Sequence, residues 1–249
     1  MSIDIRFLRD FYHTPLGQRT AQDLLRVLRG MDLPAGKKIL CLGYGLPLLS
    51  AFPHGEKTVF WAMPARQGIM PWPEGDVMRA VLVEDNRLPF AHETFDTVLA
   101  IHTLEMAHDP EGFLQEILRV TTRGGAMILV VPNRIGLWAH RDQTPFGYGN
   151  PYSLFQLTEL LRRCSLKIIM KKPVLSFLPY TPRWATHRVW SRLWPPALAG
   201  AWCVRIERES IWALIPPKPV FVPARRAPLV AMPQPSGYGP LPRCDTKDS

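Results

Sequence analysis

Short apolar runs alternating with longer amphipathic segments constrain this chain more than any other feature. Lys37–Leu42, Thr58–Ala62, Arg79–Val83, Thr97–His102 and Ala126–Val131 each read as a buried strand. The segments between them are long enough for crossovers, which consecutive parallel strands require. The clearest crossover is the helix expected over 111–120. Asp109 is placed to cap it, Pro110 takes the first helical position, and Phe113, Leu114, Ile117 and Leu118 share one stripe. A first helix is expected over 15–30, with Leu24, Leu25, Val27 and Leu28 at helical spacing and Gly30 as its stop. A helix over 153–163 and strands at Leu166–Met170 and Trp202–Arg208 extend the series. The expected product is a doubly wound α/β sheet with ligand chemistry at the carboxyl ends of its strands.

Composition narrows the class further. At 249 residues and 47% hydrophobic content the chain can bury a core. Cysteines at 41, 164, 203 and 244 never form a CxxC pair, and no histidine cluster has zinc-ligand spacing, so neither a metal site nor a redox motif is expected. The first twelve residues scatter four charges where a secretory signal needs an unbroken apolar run, and no apolar stretch is long enough to span a bilayer. A cytoplasmic setting without a transmembrane segment is the expectation. The net charge of +9 is unevenly placed: residues 1–161 hold 15 Lys and Arg against 17 Asp and Glu, and residues 162–249 hold 15 against 4. The basic excess therefore describes what the last third touches.

The strand at 37–42 runs into Gly43-Tyr44-Gly45. Glycine tolerates positive φ and has no side chain, so such a turn lets backbone approach a nucleotide closely. Short glycine turns follow many strands, and what gives this one meaning is the series behind it. Ile39–Pro47 (ILCLGYGLP), Glu84–Asp96 (EDNRLPFAHETFD), Leu104–Pro110 (LEMAHDP) and Arg119–Val131 (RVTTRGGAMILVV) follow in order. Together they resemble the class I S-adenosylmethionine (SAM)-dependent methyltransferases, whose segments read VLDLGCGTG, DAEDLPFPDGSFD, LEHVxDP and RVLxPGG. The resemblance is stronger still to a bacterial branch of that superfamily with FYxTPLG, MPARQG and VPNRxGLWAxxDxTPFGxGxPYS segments. Phe11–Gly17, Met63–Gly68 and Val131–Ser153 match these.

The resemblance implies a Rossmann-like class I methyltransferase fold, a mostly parallel seven-stranded sheet with helices on both faces, and SAM as cofactor. It divides the chain into an N-terminal helical cap (1–34), a cofactor-binding core (35–172), a Trp/Arg-rich cap with the last strand (173–215) and a Pro-rich tail (216–249). Carried over by position, the cofactor contacts are Tyr12, Gly43, Tyr44, Gly45, Met63, Glu84, Asp85, Leu88 and His102. Glu84 matches the acid near the adenine amino group, Asp85 adds a neighbouring contact and Leu88 packs near the base. His102, at the end of the fourth strand, is the catalytic candidate, with a structural histidine as the alternative. Glu105 and His108 read equally as helix-start and loop polar groups. Two acids of the usual pattern are missing: Cys41 stands where one organises the glycine loop, and Met63 where another holds the ribose hydroxyls. Each lost charge-assisted hydrogen bond costs about 1.5–3 kcal/mol.

Pro132–Ser153 is too long and too aromatic for a plain connector. It reads either as a lid over the pocket with Tyr12 or as a packed flap. Arg183, Trp184, Trp190, Arg192 and Trp194 have the composition of a protein interface, and this reading is preferred to a nucleic-acid groove because no RNA-binding motif accompanies them. Nine prolines within 216–242 suit an extended tail that wraps a partner. Genes of the similar branch often lie near a glyoxalase II-type metallohydrolase, which makes such a hydrolase a candidate partner. Two functions follow: methyl transfer to an unidentified small-molecule acceptor, or a catalytically silent SAM-binding subunit that controls a partner enzyme.

Overall fold

The computed structural model describes residues 3–31, 38–51, 59–72, 79–179 and 195–208. Seven strands form one sheet in the order β3-β2-β1-β4-β5-β7-β6: β1 (Ile39–Gly43), β2 (Val59–Pro64), β3 (Ala80–Val83), β4 (Phe95–Ile101), β5 (Thr121–Pro132), β6 (Leu166–Val174) and β7 (Ala201–Arg208). β1 pairs in parallel with β2 through Ile39↔Val59 and with β4 through Ile39↔Thr97. β7 alone among them runs against its neighbours, inserted antiparallel between β5 and β6.

Side-chain alternation along the strands sorts the core into two layers. Ile39 and Cys41 of β1 join one layer with Leu8, Leu24 and Leu28, whereas Leu40 and Leu42 join the other with Phe113, Leu114, Ile117 and Leu157. The first set comes from α1 (Ile5–His13) and α2 (Pro15–Arg29), and the second from α3 (Pro110–Val120) and α4 (Leu154–Arg163). Each fully buried leucine contributes about 1.5–3 kcal/mol.

Local chemistry fixes where the helices start. Asp109 caps α3 by accepting from the Gly112 amide at 2.9 Å, with Pro110 at the first position, as the sequence predicts. Ser153 and Gln156 form a reciprocal capping box on α4. The separate helix α1 is an addition to the sequence reading. Asp4 caps it, and Thr14 ends it while accepting from the Gly17 amide at 3.0 Å to start α2. Strand ends differ as well: β5 begins at Thr121 and β6 continues to Val174, beyond the expected 126 and 170.

The order reverses between β1 and β4, so the crevice at their carboxyl ends is where an open α/β sheet binds ligands. β2, β4 and β5 deliver their following loops to the same edge.

Candidate functional site at the carboxyl edge of the sheet

The glycine turn lies at the reversal point. Gly43 has φ +80°, and a Cβ there would strike the Ile101 carbonyl oxygen of β4. A Cβ on Gly45 would strike Cys41 Sγ, so the thiol occupies the space beneath the turn. Burial pushes that thiol up to about 12, which keeps it neutral in the place where the resemblance has a carboxylate. The Trp61 indole donates to the Gly43 carbonyl oxygen and fixes the turn from the side of β2.

Around the turn the side chains pack on one another. Tyr44 stacks on Tyr12 with ring centroids 5.6 Å apart and lies 5.8 Å from Trp61, which meets Trp72 edge-on at 6.0 Å. Met63 is fully buried, and its Sδ accepts from the Met70 amide at 3.3 Å. The structure therefore brings Tyr12, Gly43, Tyr44, Gly45, Met63 and His102 together, but as a closed apolar layer. Leu88 lies in the opposite core layer, under α3. Its amide donates to Glu116 at 2.8 Å and its carbonyl accepts from Arg119 at 2.9 Å, so it anchors the loop after β3. Glu84 is exposed at the end of β3, and Asp85 pairs with Arg66. Burial raises the Asp85 carboxyl above its ordinary value in spite of Arg66 and His108 nearby.

His102 follows β4 in the left-handed region, φ +56°. Such a backbone is costly for a residue with a Cβ and is held here by its surroundings. Its carbonyl accepts from Gln67, its ring meets Phe146 at 4.8 Å, and its Nε2 lies 2.9 Å from the Tyr12 hydroxyl. With that O–H donating, the proton of a neutral imidazole is assigned to Nδ1, which lies 3.7 Å from Glu105 Oε1. Burial first, then Tyr44 and Glu105, hold Tyr12 well above the usual phenol range, so it remains a protonated donor. Five polar atoms here are buried without a hydrogen-bond partner: Gln67 Oε1, His102 Nδ1, Thr103 Oγ1 and both Glu105 carboxylate oxygens. Such groups are normally paired, and here five of them gather at one strand end.

Beside them opens a cavity of about 650 Å³ whose walls include Arg66, Glu105, His108, Asp142, Tyr148 and Asn150. Arg66 is held by Asp85 and donates to the Met106 carbonyl at 3.1 Å. The Asn150 amide donates to the Glu105 carbonyl at 2.7 Å, joining the β5–α4 loop to the end of β4. Between the two readings of that loop the structure selects the packed flap. Trp138 and Phe146 are fully buried, the Trp138 indole donates to the Phe177 carbonyl at 2.7 Å, and Asn133 donates to the carbonyls of Ala197 and Ala199, both at 2.8 Å. Sequence reasoning missed Arg66, although it lies inside the MPARQG segment. It also weighed Glu105 as a helix-start group, and only burial separates it from one.

Arg183, Trp184, Trp190, Arg192, Trp194 and the proline-rich segment lie outside the described residues. Among the described residues no three metal-ligating side chains converge, and no helix is long and apolar enough to cross a membrane.

Residues 70–129 match the family described as "Methyltransferase domain". No curated protein matches the chain. Solved structures do. A SAM-dependent methyltransferase from Thermotoga maritima aligns with TM-score 0.55 at 16% identity, over 81% of this chain and 96% of its own. A complex of the Haloferax volcanii Trm112 methyltransferase activator with a methyltransferase-type chain aligns with TM-score 0.60 at 16% identity, over 81% and 95%. A SAM-dependent methyltransferase from Aquifex aeolicus aligns with TM-score 0.52 at 16% identity, over 82% and 98%. On these alignments the chain has the fold of the class I SAM-dependent methyltransferases, and it carries a methyltransferase-domain sequence over residues 70–129.

Proposed function

We propose that this protein binds SAM at the carboxyl edge of its sheet and transfers the methyl group to a small-molecule acceptor held in the adjoining cavity. The observation that carries the reading is the group of unpartnered buried polar atoms on Gln67, His102, Thr103 and Glu105, next to a glycine turn at the sheet's reversal point. The residues fit such a cofactor in a particular way. Bare backbone at Gly43 and Gly45 permits close approach, and Glu84 and Asp85 stand at the end of β3, where adenine contacts fall by resemblance. Met63 offers the ribose an apolar wall in place of a carboxylate. Affinity is expected to be at least tenfold weaker for each missing acid.

SAM supplies an electrophilic methyl on a sulfonium, and the chain's own residues do the rest. Tyr12 and Tyr44 close over the turn and exclude water, so loading requires their stack to open. His102 has no solvent exposure and is held at Nε2 by Tyr12, with Nδ1 3.7 Å from Glu105 and free of a hydrogen bond, in the place where it can position the reacting groups. Calorimetry with SAM and S-adenosylhomocysteine on folded protein tests the proposal. Absence of heat from both ligands would sink it.

A second reading makes the chain a subunit that controls a partner enzyme. It is favoured by the burial of Cys41 and Met63 where carboxylates are expected, and by the structural likeness to a chain complexed with an activator protein. Its finer form, a glyoxalase II-type metallohydrolase as the partner, rests on the family resemblance alone. Turnover by the isolated chain, purified without a second polypeptide, counts against this reading.

A further inference from the structure

The segment after β2 reaches across the sheet. Strand order places β2 and β1 between β3 and β4, yet residues 65–67 bond to elements on both sides. The Ala65 amide donates to the Val83 carbonyl of β3 at 2.8 Å, and the Gln67 side chain donates to the His102 carbonyl beyond β4. The Gln67 carbonyl accepts from the Ile5 amide of α1 at 2.7 Å, and the Gln67 side chain is buried. This backbone is therefore pinned across the carboxyl end of β1, where the strand order reverses.

Arg66 sits between these anchors. Its guanidinium donates to Asp85, in the loop after β3, and to the Met106 carbonyl at 3.1 Å, in the loop after β4. One planar fork thus joins two loops whose strands are three places apart in the sheet. The side chain is 30% exposed and borders the cavity of about 650 Å³ with Met106 and His108. Rotation about its own torsions breaks both bonds and leaves the backbone where it is. Asp85 is 13% exposed, and among the charges that offset its burial Arg66 outweighs His108.

The closed bridge competes with a ligand. The resemblance lays the cofactor's base against Glu84 and Asp85, at one end of the bridge, and a purine cannot enter the gap between the two loops while the guanidinium fills it. The Asp85 carboxylate is also already taken. A group that must vacate before binding weakens the apparent affinity according to the fraction of molecules in which it is open.

We propose that Arg66 is an autoinhibitory latch: tied to Asp85 and Met106 it shuts the crevice of the empty protein, and it swings out when an adenine-bearing cofactor loads. The proposal rests on the reading that SAM is held at this edge, and adds what regulates that site.

Calorimetry of S-adenosylhomocysteine on the full chain, wild type beside Arg66→Ala and Arg66→Met, is the test. Both variants lose the two bonds, and Arg66→Met keeps the bulk of the stem. Each is expected to bind about three- to tenfold tighter than wild type, the gain from a latch closed in about two-thirds to nine-tenths of the empty molecules. Without ligand both variants are expected to melt below wild type, because the bridge stabilises only the empty protein. At saturating S-adenosylhomocysteine that difference is expected to vanish. Weaker binding by the variants would make Arg66 a cofactor contact, and a gain confined to Arg66→Ala would mark lost bulk; either result overturns the latch. A melting difference that persists at saturation would show that the bridge survives in the complex and overturns it as well. Binding by wild type with no gain in the variants removes the latch and leaves the SAM reading standing. Binding by the variants alone upholds both, and absence of binding by all three removes both.

Discussion

Tyr12→Phe removes one oxygen from a ring that is 6% exposed and breaks the 2.9 Å contact between the phenol and His102 Nε2. Helix α1 and the end of β4 lose their direct polar link, and the imidazole nitrogen is left buried without a donor. A buried group deprived of its partner costs about 1–3 kcal/mol, from which the relief of the phenol's own burial is subtracted. A net loss of about 1–2 kcal/mol is expected, and for a domain of this size that lowers the Tm by about 2–8 °C. Urea unfolding followed by tryptophan fluorescence reads it directly, with the midpoint falling and the denaturant slope unchanged. A cycle with His102→Leu isolates the pair, and the coupling should be about 0.5–3 kcal/mol. A Tyr12→Phe protein within about 0.5 kcal/mol of wild type, or a coupling near zero, would refute the claim that this contact ties the N-terminal helix to the site.

Two other perturbations probe the departures from the usual pattern and the support of the site. Cys41→Asp restores the missing acid in a position 1% exposed, under Gly45. Burial raises the folded-state pKa of that aspartate above its unfolded value of about 3.9, so the penalty grows as pH rises from that value. The Tm deficit should be larger at pH 8 than at pH 5, and an equal or reversed deficit refutes the picture of an apolar floor. Arg119 donates to the carbonyls of Phe90 at 2.7 Å and Leu88 at 2.9 Å and to Glu116 at 2.8 Å. Arg119→Ala is expected to cost about 1–3 kcal/mol and to speed amide exchange across residues 85–91. Burial alone would raise the Glu116 carboxyl, but Arg119 and the Leu88 amide outweigh it and hold it below its ordinary value. This contribution is present above the unfolded pKa and is lost as pH falls through the folded one. The variant should therefore lose less stability on acidification than wild type. Unchanged exchange in 85–91 would show that the loop is held by something else.

Regular elements were legible where one residue type does one job. Asp109-Pro110 starts α3 because a carboxylate and a fixed φ suit a helix start in any context. β1, β2 and β4 are buried strands and read as apolar runs. β6 outran its expected end because Lys171, Lys172 and Pro173 look like a break. They pair instead with β7 at the sheet margin, where charge and proline are tolerated. α1 was hidden because its apolar residues Ile5, Leu8, Phe11 and Tyr12 are interspersed with charge, and its stability comes from packing on α2 within the core layer they share.

The sequence by itself determined the α/β class, the parallel series, the glycine turn and the absence of two carboxylates, because periodicity and residue identity are local properties. Tertiary structure alone decided what those residues face. Tyr12 and His102 meet across 90 positions, and Gln67 reaches the His102 carbonyl across 35. Burial turned Glu105 from an ordinary polar residue at a turn into a carboxyl group whose two oxygens find no hydrogen-bond partner. Desolvation is a property of the surroundings, and three strands and a long flap have to converge before a carboxylate can be short of a partner.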